Sequence, residues 1–137
     1  SVLASIVQRE TPKVDERPTI SGVYYNRLKK SMKLQADPTV VYTIKEKKGF
    51  DKKIRRVLYR DLKIKSPYNT YINKGLPPGP IANPSEAAIN AVLNPEEGSW
   101  LYWVTVNLDT KETKFAATNN EFLNHKQEFL RWYNQNK

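Results

Sequence analysis

Apolar residues recur at Leu3, Ile6 and Val7, the i, i+3, i+4 stripe of a helix that Pro12 stops. A second stripe, Ile20, Val23, Tyr24, Leu28 and Met32, follows Asp15-Glu16-Arg17-Pro18 and runs to about residue 33. Asp15 is a candidate cap there, and Pro18 suits a first turn. Asp37-Pro38 predicts a third helix with Asp37 as its cap and Val40, Val41 and Ile44 on its apolar side. Residues 48–62 are basic and loosely patterned, predicting an irregular stretch with a short helix near Leu58–Leu62. Asn83-Pro84-Ser85-Glu86 opens a helix over Ala87–Leu93. Trp100–Val106 and Glu112–Ala117 are β-rich and read as a hairpin across the polar turn at Asn107–Lys111. Asn119-Asn120 is the expected cap of a last helix with Phe122, Phe129 and Tyr133 on one face. The class is α+β: about five helices with a small antiparallel β-hairpin.

Composition narrows the picture. The 137 residues suit one domain, and 39% hydrophobic with 11% aromatic content argues for a packed core. No apolar run is long enough to span a membrane, and no secretory signal is present. The chain starts inside a helix-like pattern, so it reads as a fragment of a longer protein. The absence of cysteine excludes a disulfide scaffold, a thiolate metal site and a cysteine nucleophile. The net charge of +9 points to a polyanion or an anionic surface without choosing between nucleic acid, lipid and wall polymer. The clusters Arg27–Lys33, Lys45–Lys48 and Lys52–Arg56 read first as solvated faces.

Glu10 is the first candidate for chemistry. It lies on the face of Leu3 and Ile6, so its carboxylate points to the interior or a cleft. Desolvation and the negative end of the helix dipole both favour its protonated form, which a general acid requires. A glutamate at a frayed helix end, paired with Arg9 or Lys13, fits the same spacing. The second candidate is Tyr68-Asn69-Thr70-Tyr71, inside a loop of about 20 residues stiffened by Pro67, Pro77, Pro78 and Pro80. Its amides and phenols suit sugars, yet such a loop can also spend them on its own backbone. His125, the only histidine, edges the core of the last helix, and no metal site is expected. Neither a phosphate loop nor a nucleophile elbow occurs.

Ala4-Ser5-Ile6-Val7-Gln8-Arg9-Glu10-Thr11, Gly22-Val23-Tyr24-Tyr25-Asn26-Arg27-Leu28 and Leu34-Gln35-Ala36-Asp37-Pro38-Thr39-Val40 resemble the MltG (YceG-like) endolytic murein transglycosylases. Tyr68–Tyr71, Gly75–Pro84 and Leu101–Val104 fit in the same order. The resemblance implies the catalytic domain, over residues 1–137, of a membrane-anchored enzyme that cuts peptidoglycan glycan strands. Its anchor and a LysM-like module would lie upstream of Ser1. It implies Glu10 as catalytic residue on a lysozyme-like active-site helix, and Gln35, Tyr68, Asn69, Thr70 and Tyr71 as substrate-binding residues. No cofactor is implied, and nucleic acid is not an expected partner. Peptidoglycan strands are the implied partner, with wall synthases (penicillin-binding proteins) as further candidates, at the outer side of a bacterial cell membrane. Relatives often carry a histidine where this chain has Thr113-Lys114-Phe115, and a glutamate where it has Gln8. The reaction implied is cleavage between MurNAc and GlcNAc with a 1,6-anhydro-MurNAc end. A hydrolase of the same bond would need a second carboxylate, Asp37 or Asp15. A non-catalytic polyanion-binding module would ignore Glu10 altogether.

Overall fold

The computed structural model describes residues 1–137 and divides into two compact units, residues 1–96 and 97–137. The first unit holds α1 (Val2–Glu10), α2 (Arg17–Lys29), α3 (Asp37–Lys48) and α4 (Glu86–Leu93), with 3-10 turns at Val14–Glu16 and Tyr59–Lys63. The second holds β1 (Tyr102–Asn107), β2 (Glu112–Ala116) and α5 (Asn119–Asn136). Five helices and one antiparallel hairpin make the α+β class expected from the pattern.

In the first unit α1 is the hub, touching α2, α3 and α4. Its Leu3, Ile6 and Val7 meet Ile20, Val23, Tyr24, Val40, Ile44, Ala88 and Ala91 in one buried core. Ser1 caps α1 by accepting from the Ala4 N–H at 3.1 Å. Gly22 lets α2 approach the chain at Glu96: a Cβ there would stand 2.4 Å from the Glu96 carbonyl oxygen.

Both ends of α2 differ from the sequence expectation. Helix α2 starts at Arg17, because Asp15 belongs to a preceding 3-10 turn and caps nothing. It stops at Lys29 rather than near residue 33. There Ser31 takes a left-handed φ of 56°, and the Met32 N–H bonds Arg27 O at 2.9 Å, a Schellman ending. The apolar Met32 beyond that ending mimics a longer helix in the pattern.

In the second unit the strands pair Tyr102 with Ala116 and Trp103 with Phe115, with a register shift between Thr105 and Asn107. Helix α5 packs on both strands, and Phe122 stacks on Tyr102 with ring centroids 5.1 Å apart. Its cap is Thr118, which accepts from the Glu121 N–H at 3.2 Å, one residue earlier than the expected asparagines. Lys114 pairs with Glu128 at 2.8 Å, and His125 is half-buried on the same helix.

Candidate active site

The last turn of α1 ends at a cleft of about 550 Å³ in the first unit. Glu10 and Asp37 line it together with Pro38, Tyr42, Phe50 and Ile81. The Glu10 side chain reaches the opening while its Oε2 is shut off from water and has no hydrogen-bond partner in the chain. Desolvation, and next the negative charge of Asp37, push its pKa from an ordinary 4.5 up to about 8; the buried Tyr24 hydroxyl draws it back only in part. Tyr24 is itself raised well above 10, first by burial and then by the nearby Glu10. The carboxyl therefore holds a proton at neutral pH and can still reach a ligand, the condition for a general acid.

The end of α1 is held from below. Arg17, buried in the core, donates from Nε and Nη2 to the Thr11 carbonyl at 3.3 and 3.2 Å, and from Nη1 to Ser85 Oγ at 3.1 Å. The proline-rich segment is pinned to the same helix: Ile81 N–H donates to Ser5 Oγ at 3.0 Å, and Ser85 N–H to Gln8 Oε1 at 2.8 Å. Glu10 thus sits at the end of a helix that is tied to the proline-rich segment on one side and touches α3 on another.

Asp37 is not the cap that the sequence predicts. Ala36 occupies the cap position and Asp37 the first helical one, which leaves its carboxylate free to accept from the Tyr71 hydroxyl. Burial raises the Tyr71 phenol far above its usual range, and this bond adds to the shift.

The cluster 68–71 lies behind the cleft rather than in its lining. Asn69 is wholly buried; its Nδ2 donates to Leu62 O at 3.0 Å and Ile64 O at 2.8 Å, and its Oδ1 accepts from Tyr71 N–H at 2.9 Å. Thr70 is buried as well, with its Oγ1 2.8 Å from Thr39 Oγ1 and accepting from Ala36 N–H at 2.9 Å. These two side chains are consumed in fixing the loop onto the start of α3, and so in aiming Tyr71 at Asp37. Tyr68 packs against the cleft residue Tyr42, ring centroids 4.7 Å apart. Gln35 is exposed, with a left-handed φ of 50°, and its N–H donates to Thr70 O at 3.2 Å. No cluster of histidines and carboxylates suited to a metal ion occurs.

The family model described as YceG-like matches residues 1–128. The chain belongs to the YceG-like family. It is 41% identical over 128 residues to a Bacillus subtilis (strain 168) protein named endolytic murein transglycosylase, covering 93% of this chain and 33% of that one. A Streptococcus pneumoniae (serotype 2, strain D39) protein of the same name is 38% identical over 119 residues, covering 87% of this chain and 21% of the relative. This chain therefore spans about a third or less of the length of these relatives. A crystal structure of a YceG-like protein from Listeria monocytogenes superposes with a TM-score of 0.77 at 37% identity, over 90% of this chain and 37% of that one.

In this YceG-like chain the sequence pattern singles out Glu10, which lines the cleft, but misses its surroundings. Tyr24 reads as an ordinary member of the α2 stripe, and nothing marks Arg17 as the clasp of α1. Asp37 carries a signal, an Asp-Pro step, but the more common use of that step as a cap hides it.

Proposed function

We propose that this chain is the catalytic domain of an endolytic lytic transglycosylase, with Glu10 as its only acid and base. The observation that carries the reading is a protonated, desolvated carboxyl at the mouth of an open cleft, and the names of the relatives supply the class of substrate. Glu10 gives its proton to the glycosidic oxygen between MurNAc and GlcNAc as the C1–O bond breaks. The ionised Glu10 then takes the proton of the C6 hydroxyl of the same MurNAc. That oxygen closes on C1, and the product ends in a 1,6-anhydro ring. Because the nucleophile is intramolecular, no second side chain has to activate water. Burial first, and then the negative charge of Asp37, keep Glu10 protonated before the reaction, and in this reading the same carboxylate favours the positive charge that grows at C1 during it. Tyr71 fixes that carboxylate, and Asn69 and Thr70 fix Tyr71. In the whole protein this domain works outside the cell membrane, tethered by a segment beyond the present chain and within reach of wall synthases.

One observation favours a second reading. Asp37 lines the same cleft as Glu10, and a hydrolase needs a second carboxylate. Digestion of purified murein decides between them. Internal cutting should give fragments of mixed length that end in anhydro-MurNAc, weigh one water less than hydrolytic fragments, and resist borohydride. Fragments dominated by reducing-end MurNAc would make water the nucleophile and Asp37 its base.

A further inference from the structure

The proposed reaction uses the α1 side of the cleft and leaves the facing wall unexplained. That wall is the irregular stretch 53–57. Ile54, Arg55, Arg56 and Val57 line the cleft, and Lys53 to Arg56 also line a second hollow of about 260 Å³. The stretch is thus a partition in the sense that Ile54, Arg55 and Arg56 border both hollows.

Two of its properties point to a ligand. The first is charge. The second hollow gathers Lys48, Lys53, Arg55, Arg56 and Arg60 around one carboxylate, Asp61, which already accepts from the Leu58 N–H at 2.8 Å. No ion pair joins any of these five cations to an acidic side chain. The helix dipole accounts for Lys48, which ends α3, but not for Lys53, Arg55 and Arg56, which lie on no helix. These exposed cations border one hollow, and an anion lodged there would be attracted by all of them. The second property is backbone. Lys53 to Val57 make no backbone hydrogen bond within the chain, so the amides and carbonyls of five consecutive residues are left for a ligand or for solvent.

A ligand that is both peptidic and acidic answers both properties. On the reading of the cleft proposed above, on which this inference rests, the glycan strand carries such a ligand itself. A short peptide branches from the lactyl group at C3 of MurNAc, close to the C1 that is cut, and it bears free carboxylates. We propose that the partition 53–57 and the cationic hollow form a recognition site for this stem peptide, so that the enzyme prefers peptide-bearing strands to bare glycan.

The test uses the full-length protein and two preparations of one set of strands, intact and stripped of peptides by an amidase. Both cutting and binding of fluorescent strands are measured. The expected kcat/KM and affinity are about 10-fold higher for intact strands. The double variant Arg55→Gln/Arg56→Gln, and separately Lys53→Gln/Arg60→Gln, should bring the intact-to-stripped ratio toward one, chiefly through KM. Arg55→Lys/Arg56→Lys should keep much of it. Chemical amidation of the peptide carboxylates should reduce the preference while the peptide itself stays in place. Equal handling of intact and stripped strands by the wild type overturns the proposal. So does a ratio that survives both double variants. Loss of binding to vesicles of anionic lipid in those variants, with the ratio unchanged, assigns the cations to a membrane surface instead. Cutting of neither preparation removes the enzymatic reading alone, and the binding ratio then decides the peptide site on its own.

Discussion

Glu10 is held in the state that the solvent would deny it. A carboxyl with a folded pKa of about 8 against an ordinary 4.5 binds its proton more tightly in the folded than in the unfolded chain. Between these two values the native state carries more protons, so stability falls as pH rises through that window. The gap limits the cost at high pH to about 5 kcal/mol. Glu10→Gln removes the charge and keeps the shape. Its melting temperature should match wild type near pH 5 and exceed it increasingly toward pH 9, read by thermal melts across that range. The same variant should lose murein cleavage by on the order of 10³-fold or more, because an amide cannot donate and then retake a proton. A variant that still digests murein at the wild-type rate removes Glu10 from the mechanism. For the wild type, kcat/KM should decline above about pH 8 as the free enzyme loses its acid.

At the scale of elements, the site depends on a loop that is itself held by buried polar side chains. Asn69→Ala strands two backbone carbonyls, those of Leu62 and Ile64, and frees the turn that carries Tyr71. It should cost about 1–3 kcal/mol of stability and lower turnover per folded molecule, whereas Tyr71→Phe should lower turnover with little loss of stability. Thermal melts and turnover normalised to folded protein separate the two; an Asn69→Ala protein that is destabilised but fully active would leave the loop purely structural. Much of this architecture was legible in the sequence. Stripe spacing, proline steps and the β-rich pair sufficed for five helices and a hairpin, because each element obeys one local rule. The site was legible only where a local rule exposed it. Glu10 breaks an apolar face, which anyone can count. Arg17 reaching Ser85 and Asp37 receiving Tyr71 join residues that are far apart in the chain, and only packing brings them together. The cluster 68–71 announced itself as polar and aromatic, but burial decided that its amide would serve the loop and not a sugar.

For the molecule as a whole, the +9 charge acts at a distance that the chemistry does not. Stem-peptide carboxylates and anionic lipids both attract it, and exposed charges are screened beyond about 8 Å at physiological salt. Binding to isolated sacculi should therefore weaken as salt rises from about 50 to 500 mM, while turnover at saturating substrate changes little. A pull-down at graded salt measures the first and a saturation assay the second. Salt-independent binding would deny the surface charge any part in the encounter. No helix of the chain is long and apolar enough to cross a membrane.

The unpartnered Oε2 of Glu10 has a consequence for inhibitors. A sugar analogue with a permanent cation in place of the C1 centre would favour the ionised carboxyl, and would expel its proton on binding. Below pH 8 its affinity should climb by about tenfold for each pH unit, in step with the ionised fraction. At pH 7 close to one proton should leave for each molecule bound. Titration calorimetry in two buffers of different ionisation enthalpy would count it, since the measured heats would differ by that proton times the difference between the buffers. Glu10→Gln has no such proton to lose, and its binding heat should be the same in both.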